Sequence, residues 1–299
     1  MADAGLPLVV ISHYDRRPVE PLIELLESIA AHPAGAPYQC VVMTNKTHAS
    51  ALPSFVTSLV DAHATRANVG MNIGAWDAAW RRWQGRPAYV FLQDDCLVAR
   101  EGWLQATLDV LKDPEVGLVG ESMNNGWARP WEVLREAQGR DTLPEHTLDG
   151  QPANRVDVYL DAMQRYGIDP GASGRHLRSL VWGLRGEVLE QLDGFPIGSD
   201  YGTCIAAEIG TSRAVEALGL GLAEIGPSAF HYIRHREWNQ DAPGGAWTHR
   251  PTQLIERDRL RKQVAALEQR LASASQTSPF AGFRSALLRG RKQGSTNDS

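Results

Sequence analysis

The chain has 299 residues, 43% of them apolar and 22% charged, a balance that supports a sizeable core and excludes disorder throughout. Its formal charge of −5 gives no global attraction to nucleic acid, so no nucleic-acid partner is expected. Cys40, Cys96 and Cys204 are too few and too scattered for a disulfide framework or a zinc ribbon, which fits a reducing cytoplasm.

The opening MADAGLPLVVIS has Asp3 and no Lys or Arg before its apolar run, so it reads as a first strand, over residues 6–12, and not as a signal peptide. No later stretch is apolar for long enough to span a bilayer. Helical spacing over residues 19–31 and a second strand at 38–44 (YQCVVMT) begin an alternation typical of βαβ units around a mainly parallel sheet. A short third strand is expected at 58–62, then a helix over 73–83 opened by Asn72 and stopped by Gly85. The run YVFLQ at 89–93 is a fourth strand that ends directly in Asp94 and Asp95. A helix at 103–111 and a fifth strand at 116–120 follow.

Residues 123–175 turn irregular, rich in Gly, Pro, Asn and Asp, with one clear helix at 156–166. Loops of that length in a compact domain tend to be functional. Regular structure returns at 177–184, with helices over 187–192 and 204–218 and a strand at 222–225. Within 253–271, Leu260, Val264, Leu267 and Leu271 alternate four and three apart, a short heptad seam suited to self-association. Beyond it, FAGFRSALLRGRKQG sets Phe280, Phe283, Leu287 and Leu288 beside Arg284, Arg289, Arg291 and Lys292, a pattern that fits either contact with an anionic membrane surface or a free tail.

Adjacent carboxylates at a strand's carboxyl end occupy the edge where open α/β sheets place ligands. Asp94 and Asp95 repel each other unless a cation joins them, and hard oxygen ligands suit Mg²⁺ or Mn²⁺ on a diphosphate. A polar turn ending the strand is the competing reading. In RANVGMNIGAWD (66–77), Gly70 and Gly74 permit close backbone approach while Asn68 and Asn72 offer amides at a helix start. Trp76, Trp80 and Trp83 recur at helical spacing and read as core. Trp127, Trp131 and Trp182 lie outside that stripe and are candidates for stacking on a ligand's ring.

Taken in order, the strand running into His13, Tyr14 and Asp15, the Asn-Gly run, the strand ending in Asp94 and Asp95, and SLVWGLRGEVLEQLDGF at 179–195 resemble family 2-type glycosyltransferases of the GT-A fold. The resemblance covers roughly residues 6–235. It implies an open, mixed and mainly parallel α/β sheet over residues 1–250, followed by a short coiled-coil-like helix at 251–273 and a basic, partly amphipathic or disordered tail at 274–299. The implied reaction moves a sugar from a nucleotide-diphosphate sugar to a glycan or lipid-linked glycan acceptor, with inversion, in the cytoplasm or at the inner face of the membrane. Residues implied to meet the nucleotide are Ser12, His13, Asp15, Asn45, Arg66, Asn68, Asn72, Gly74 and Asp94. Asp94, Asp95 and His231 are implied to hold Mn²⁺ or Mg²⁺, with Arg234, His235 and Arg236 beside them to neutralise the departing diphosphate.

The family's general base matches Glu208 by its distance to Gly219, but its usual acidic neighbour is Ile209 here, so Asp200 stands as the alternative. Homo-oligomerisation through the C-terminal helix and peripheral membrane contact are the further partner expectations. Two other readings remain. A sugar nucleotidyltransferase would show a Gly-rich basic loop after the first strand, whereas residues 12–18 hold Arg16 and Arg17 without Gly. A carbohydrate-binding or scaffolding subunit with a degenerate transferase fold would explain Ile209.

Overall fold

The computed structural model describes residues 5–47, 52–137, 142–148, 150–236, 238 and 264. The chain divides into two units, Met1–His249 and Arg250–Ser299. In the second only Val264, helical and exposed, is described, so the heptad seam and the basic tail lie essentially outside the described residues. No helix among the described residues is long and apolar enough to cross a membrane.

The first unit opens with β1 (Leu8–Tyr14), α1 (Glu20–Ala31), β2 (Gln39–Lys46), the short α2 (Ser54–Thr57), β3 (Ala62–Ala67), α3 (Met71–Arg82) and β4 (Ala88–Gln93). After β5 (Cys96–Val98) come α4 (Trp103–Leu111) and β6 (Val116–Gly120). The irregular stretch holds α5 (Trp131–Ala137), a hairpin of β7 (Thr142–Leu148) and β8 (Gln151–Asn154), and α6 (Arg155–Arg165). The chain then forms β9 (Val181–Arg185), α7 (Gly186–Leu192), α8 (Tyr201–Ala217), β10 (Gly221–Glu224) and β11 (Ile233–His235).

Seven strands make one sheet in the order β10-β6-β9-β4-β1-β2-β3. All neighbours pair in parallel except β9, which runs antiparallel to both β4 and β6. This is the open, mixed and mainly parallel sheet expected of a GT-A arrangement. The central strands read as continuous apolar runs because both faces are covered. Leu8 and Val10 join the cluster under α3, α7 and α8, while Val9 and Ile11, equally buried, point to the other face. Gly183 of β9 meets Thr107 and Leu111 of α4 on that other face, and its neighbour Trp182 packs on Trp76 at 5.3 Å between ring centres.

The Trp stripe of α3 is core, as expected: Trp76 and Trp80 are buried, and Trp83 packs at the cluster's margin. Truncating a residue such as Trp76 to Ala costs about 3–5 kcal/mol in comparable cores. A second cluster joins α5, the β7–β8 hairpin, α6 and α8 through Trp131, Leu143, Val156, Tyr159 and Ile209. It builds one wall over the carboxyl edge of the sheet.

Several expected elements sit elsewhere. The third strand runs over Ala62–Ala67, not 58–62, and residues 54–57 are helical. The helix after it begins at Met71, with Gly70 as its N-cap at φ +75° and no side-chain cap. Asn72 is therefore not the cap; it lies inside the first turn and donates from Nδ2 to the Ser179 carbonyl at 2.8 Å. Gly74 is required for packing, since a Cβ there would fall 2.0 Å from the Val69 carbonyl oxygen.

Candidate active site

Parallel strands β1, β2 and β4 all end at the same edge of the sheet, and their last residues open into a cleft of about 540 Å³, within the range of small-molecule sites. Ser12, His13 and Tyr14 come from β1, Asn45 from β2, and Gln93 with Asp94 and Asp95 from the end of β4. Asn68 and Asn72 enter from the start of α3, and Ser179, Glu208 and Tyr201 from the opposite side.

Asp94 and Asp95 are held by different partners. Asp94 is nearly buried, and its Oδ2 accepts from His13 Nδ1 at 2.5 Å. Asp95 Oδ2 accepts from Arg17 Nη1 at 3.0 Å, while Asp95 Oδ1 lies 3.0 Å from His235 Nε2. Arg17 Nη1 also stands 3.8 Å from Asp94 Oδ1, so one guanidinium spans both acids. Burial pushes the Asp95 carboxyl up, but the His235 and Arg17 contacts outweigh it and the net shift is downward.

His235 reaches Asp95 because β11 pairs antiparallel with β5, which starts one residue after Asp95; His235 stands opposite Cys96 and Ile233 opposite Val98. His231 does not line the cleft. Its ring packs edge-on against Tyr232 at 4.8 Å and lies against Gly226, and its carbonyl accepts from Arg100 Nε. The physical reason is register: His231 precedes β11, outside the pairing that carries His235 to the acids.

The donor set suits a divalent cation. Asp95 Oδ1 and His235 Nε2, 3.0 Å apart, are at hydrogen-bond distance, a separation that two adjacent ligands at about 2.1 Å on an octahedral ion would share. A carboxylate with an imidazole is chemically acceptable to Mn²⁺. Among the described residues, the group of three side chains whose ligand-type atoms lie within 4.8 Å of one another is Glu145, His146 and Asp200, whereas Asp95 and His235 make a pair. In the group of three, however, Asp200 is the N-cap of α8: Oδ1 accepts from Thr203 N and His146 Nε2, both at 2.9 Å, and Oδ2 from Ser199 Oγ at 3.0 Å. These bonds outweigh burial and hold its carboxyl down at about 2.

Glu208 sits in the middle of α8, not at its start, and lines the cleft. Its Oε1 accepts from Ser179 N at 2.8 Å, and His176 Nε2 stands 3.6 Å away. His176 is buried, and burial lowers its pKa despite the Glu208 charge. Neutral His176 donates from Nδ1 to the Gly174 carbonyl at 2.6 Å, leaving Nε2 to accept from Asn124 at 3.4 Å. The Ser179 carbonyl meanwhile accepts from both Asn72 Nδ2 and Gln93 Nε2, at 2.8 and 2.6 Å. Ser179 thus ties α3, β4 and α8 together under the cleft.

Among the remaining sequence candidates, Asn45 lines the cleft and bonds Met71 O and Arg66 Nη1. Arg66 and Gly74 shape the turn behind it instead of facing the cleft. Asp15 lies off the cleft, accepting from the backbone and hydroxyl of Thr47 at 2.9 Å each. Trp127 lines the cleft and packs on Tyr159 at 5.6 Å. Trp182 is fully buried in the core, and Trp131 is buried with its Nε1 donating to the Pro170 and Gly171 carbonyls, so neither can stack on a sugar.

Residues not singled out beforehand as site members, Arg17, Gln93, Arg155, Tyr159, His176, Arg178 and Ser179 among them, complete the lining. Arg17 was visible in sequence only as a charge after the first strand. A second hollow, of about 730 Å³, lies at the opposite edge of the sheet and is mainly apolar, with Pro7, Leu108, Leu111 and Val188 in its walls.

No protein-family model matches the chain, and no curated protein matches it in sequence. Solved structures do resemble it. A mannosyltransferase from Pyrobaculum calidifontis, PcManGT, in complex with GDP-Man and Mn²⁺ is 17% identical with a TM-score of 0.47, over 73% of this chain and 54% of that one. TarS from S. aureus is 16% identical with a TM-score of 0.44, over 76% of this chain and 36% of the other. CMP:2-keto-3-deoxy-manno-octonic acid synthetase complexed with CTP is 13% identical with a TM-score of 0.39, over 74% and 89%. The chain therefore spans about half and about a third of the first two proteins, and the likeness is one of chain path.

Proposed function

We propose that the protein is a metal-dependent glycosyltransferase that moves a sugar, with inversion, from a nucleotide-diphosphate donor to a glycan or lipid-linked glycan acceptor. The observation that carries this reading is the pairing of Asp95 with His235 at the carboxyl edge of the sheet, with Asp94, His13 and Arg17 completing the same cluster. Asp95 and His235 would hold Mn²⁺ or Mg²⁺. When bound, such an ion stabilises charge on the departing diphosphate as a Lewis acid.

The chain's own residues do the rest. His13 of β1 hydrogen-bonds Asp94 after β4, beside the place where Ser12, Asn45 and Asn68 would meet the nucleoside. Arg17, half exposed beside both acids, would neutralise charge on the departing diphosphate. Glu208 is the general base: Ser179 N–H orients its carboxylate toward the acceptor side, where Trp127 and Tyr201 offer aromatic faces. Asp200 is better read as the cap of α8 than as the base, because its oxygens are bonded to Thr203, His146 and Ser199. The C-terminal helix and tail would bring oligomerisation or membrane contact.

Release of nucleotide from a panel of UDP-, GDP- and dTDP-sugars with Mn²⁺ tests the reading. Turnover with one donor that disappears in Asp95→Ala supports it. Turnover unchanged by that substitution contradicts it.

A further inference from the structure

Two buried acids from distant elements converge on the strand that carries His235. Glu121, the residue after β6, is 1% exposed, and its carboxylate accepts from Ile233 N at 2.8 Å and from Tyr232 N at 3.2 and 3.4 Å. Its own carbonyl accepts from Phe230 N at 2.9 Å, where the backbone turns through φ +56°. On the far side of His235, Arg236 is ion-paired with Glu24, a buried carboxylate of α1. The segment is thus gripped two residues before the histidine and again immediately after it, and β5 holds it edge-on.

A three-residue strand has little pairing energy of its own. Burying a carboxylate is costly unless its hydrogen bonds are met, and an apolar residue at position 121 would leave the Tyr232 and Ile233 N–H groups unsatisfied. Both features are explained if the register of β11 must be held within a fraction of an ångström. A slip of one residue would turn His235 to the other face and replace it with Arg234 or Arg236 beside Asp95.

We infer that Glu121 and Glu24 are positioning residues that fix the register of β11 so that His235 meets Asp95 in the geometry of a shared cation. The inference rests on the metal reading above. Neither acid touches substrate; each acts through the backbone or through Arg236. The role matches that of groups around known metal ligands, whose loss weakens affinity about 10- to 100-fold.

A double-mutant cycle on the full chain tests it, with Mn²⁺ affinity in the presence of UDP or GDP read by electron paramagnetic resonance and unfolding followed in parallel. Glu121→Leu keeps a similar size but removes both accepting oxygens, leaving the Tyr232 and Ile233 N–H groups unsatisfied, and is expected to weaken Mn²⁺ about 10-fold. In a His235→Ala background the same change is expected to add nothing further. Glu24→Gln, acting through Arg236, is expected to repeat the pattern and serves if Glu121→Leu does not fold. Losses that simply add, or a Glu121→Leu and a Glu24→Gln that leave Mn²⁺ affinity unchanged while His235→Ala lowers it, overturn the positioning role and leave the metal site standing. Mn²⁺ binding indifferent to both Asp95→Ala and His235→Ala overturns the two together.

Discussion

His235 Nε2 lies 3.0 Å from Asp95 Oδ1 although the two residues are far apart in the chain. That contact joins a loop following β4 to a strand formed only near the end of the domain, and it makes one cluster of two acids, two histidines and an arginine.

Arg17 and a metal ion compete for Asp95, because both are cations drawn to the same carboxylate. Arg17→Met is therefore expected to tighten Mn²⁺ binding to the nucleotide-free protein several-fold, the modest size reflecting a half-exposed, screened guanidinium. The same change removes a cation from the diphosphate's side and is expected to raise KM for the donor. Calorimetry with Mn²⁺ alone and donor kinetics check the opposed signs. Weakening of both would show that Arg17 supports the carboxylate geometry instead.

Glu208 and Asp200 are separable by what their oxygens already do. Glu208→Gln preserves an acceptor for Ser179 N–H but cannot take a proton, so kcat is expected to fall about 10²- to 10⁴-fold with donor KM little changed. Asp200→Ala loses the cap of α8 and is expected to cost about 1 kcal/mol of stability while leaving kcat within a few-fold at a temperature where the variant is folded. Steady-state kinetics beside chemical denaturation distinguish the two. The opposite pattern would make Asp200 the base.

Much of this architecture was legible in the sequence. Strands β1, β2, β4 and β6 are unbroken apolar runs because the sheet is covered on both faces, and Asp94 and Asp95 stood out as charges at the end of one of them. The third strand was misplaced because AHATRA is a half-exposed edge strand with little apolar pattern. β5 and β11, of three residues each, are too short to show a period at all. For that reason the sequence order favoured His231, while the fold delivers His235: the choice depends on a register set by tertiary contacts. Trp182 illustrates the same limit, since alternation shows that a strand residue faces one side but not whether that side is cleft or core.

Gly74 is the point where the loop before α3 folds against its own helix. Gly74→Ala would place a Cβ 2.0 Å from the Val69 carbonyl oxygen and 2.7 Å from Arg66 Nη1, and overpacking of this kind costs about 1–3 kcal/mol. Denaturant unfolding is expected to show that loss together with a raised donor KM, because Arg66 is bonded to Asn45 in the cleft. A variant as stable as the parent would mean that the loop relaxes freely.

Burial pushes the Glu121 carboxyl up to about 8 from an ordinary 4.5, against the lowering pull of the Ile233 and Tyr232 N–H groups. A folded-state value raised in this way contributes stability that is complete below about 4.5 and is lost as pH climbs through about 8. Glu121→Gln has no such proton to lose. The difference in unfolding midpoint, parent minus variant, is therefore expected to decline from pH 5 to 8.5 and to level off above. Thermal melts across that range check it, and a pH-independent difference would place the Glu121 proton elsewhere.

Nucleotide release from UDP-, GDP- and dTDP-sugars in the presence of Mn²⁺, compared between the parent chain and Asp95→Ala, tests the shared-cation reading most directly. Donor-specific, chelator-sensitive turnover in the parent and its loss in the variant are the predicted result. Equal turnover in both, or turnover indifferent to chelation, would contradict a cation shared by Asp95 and His235.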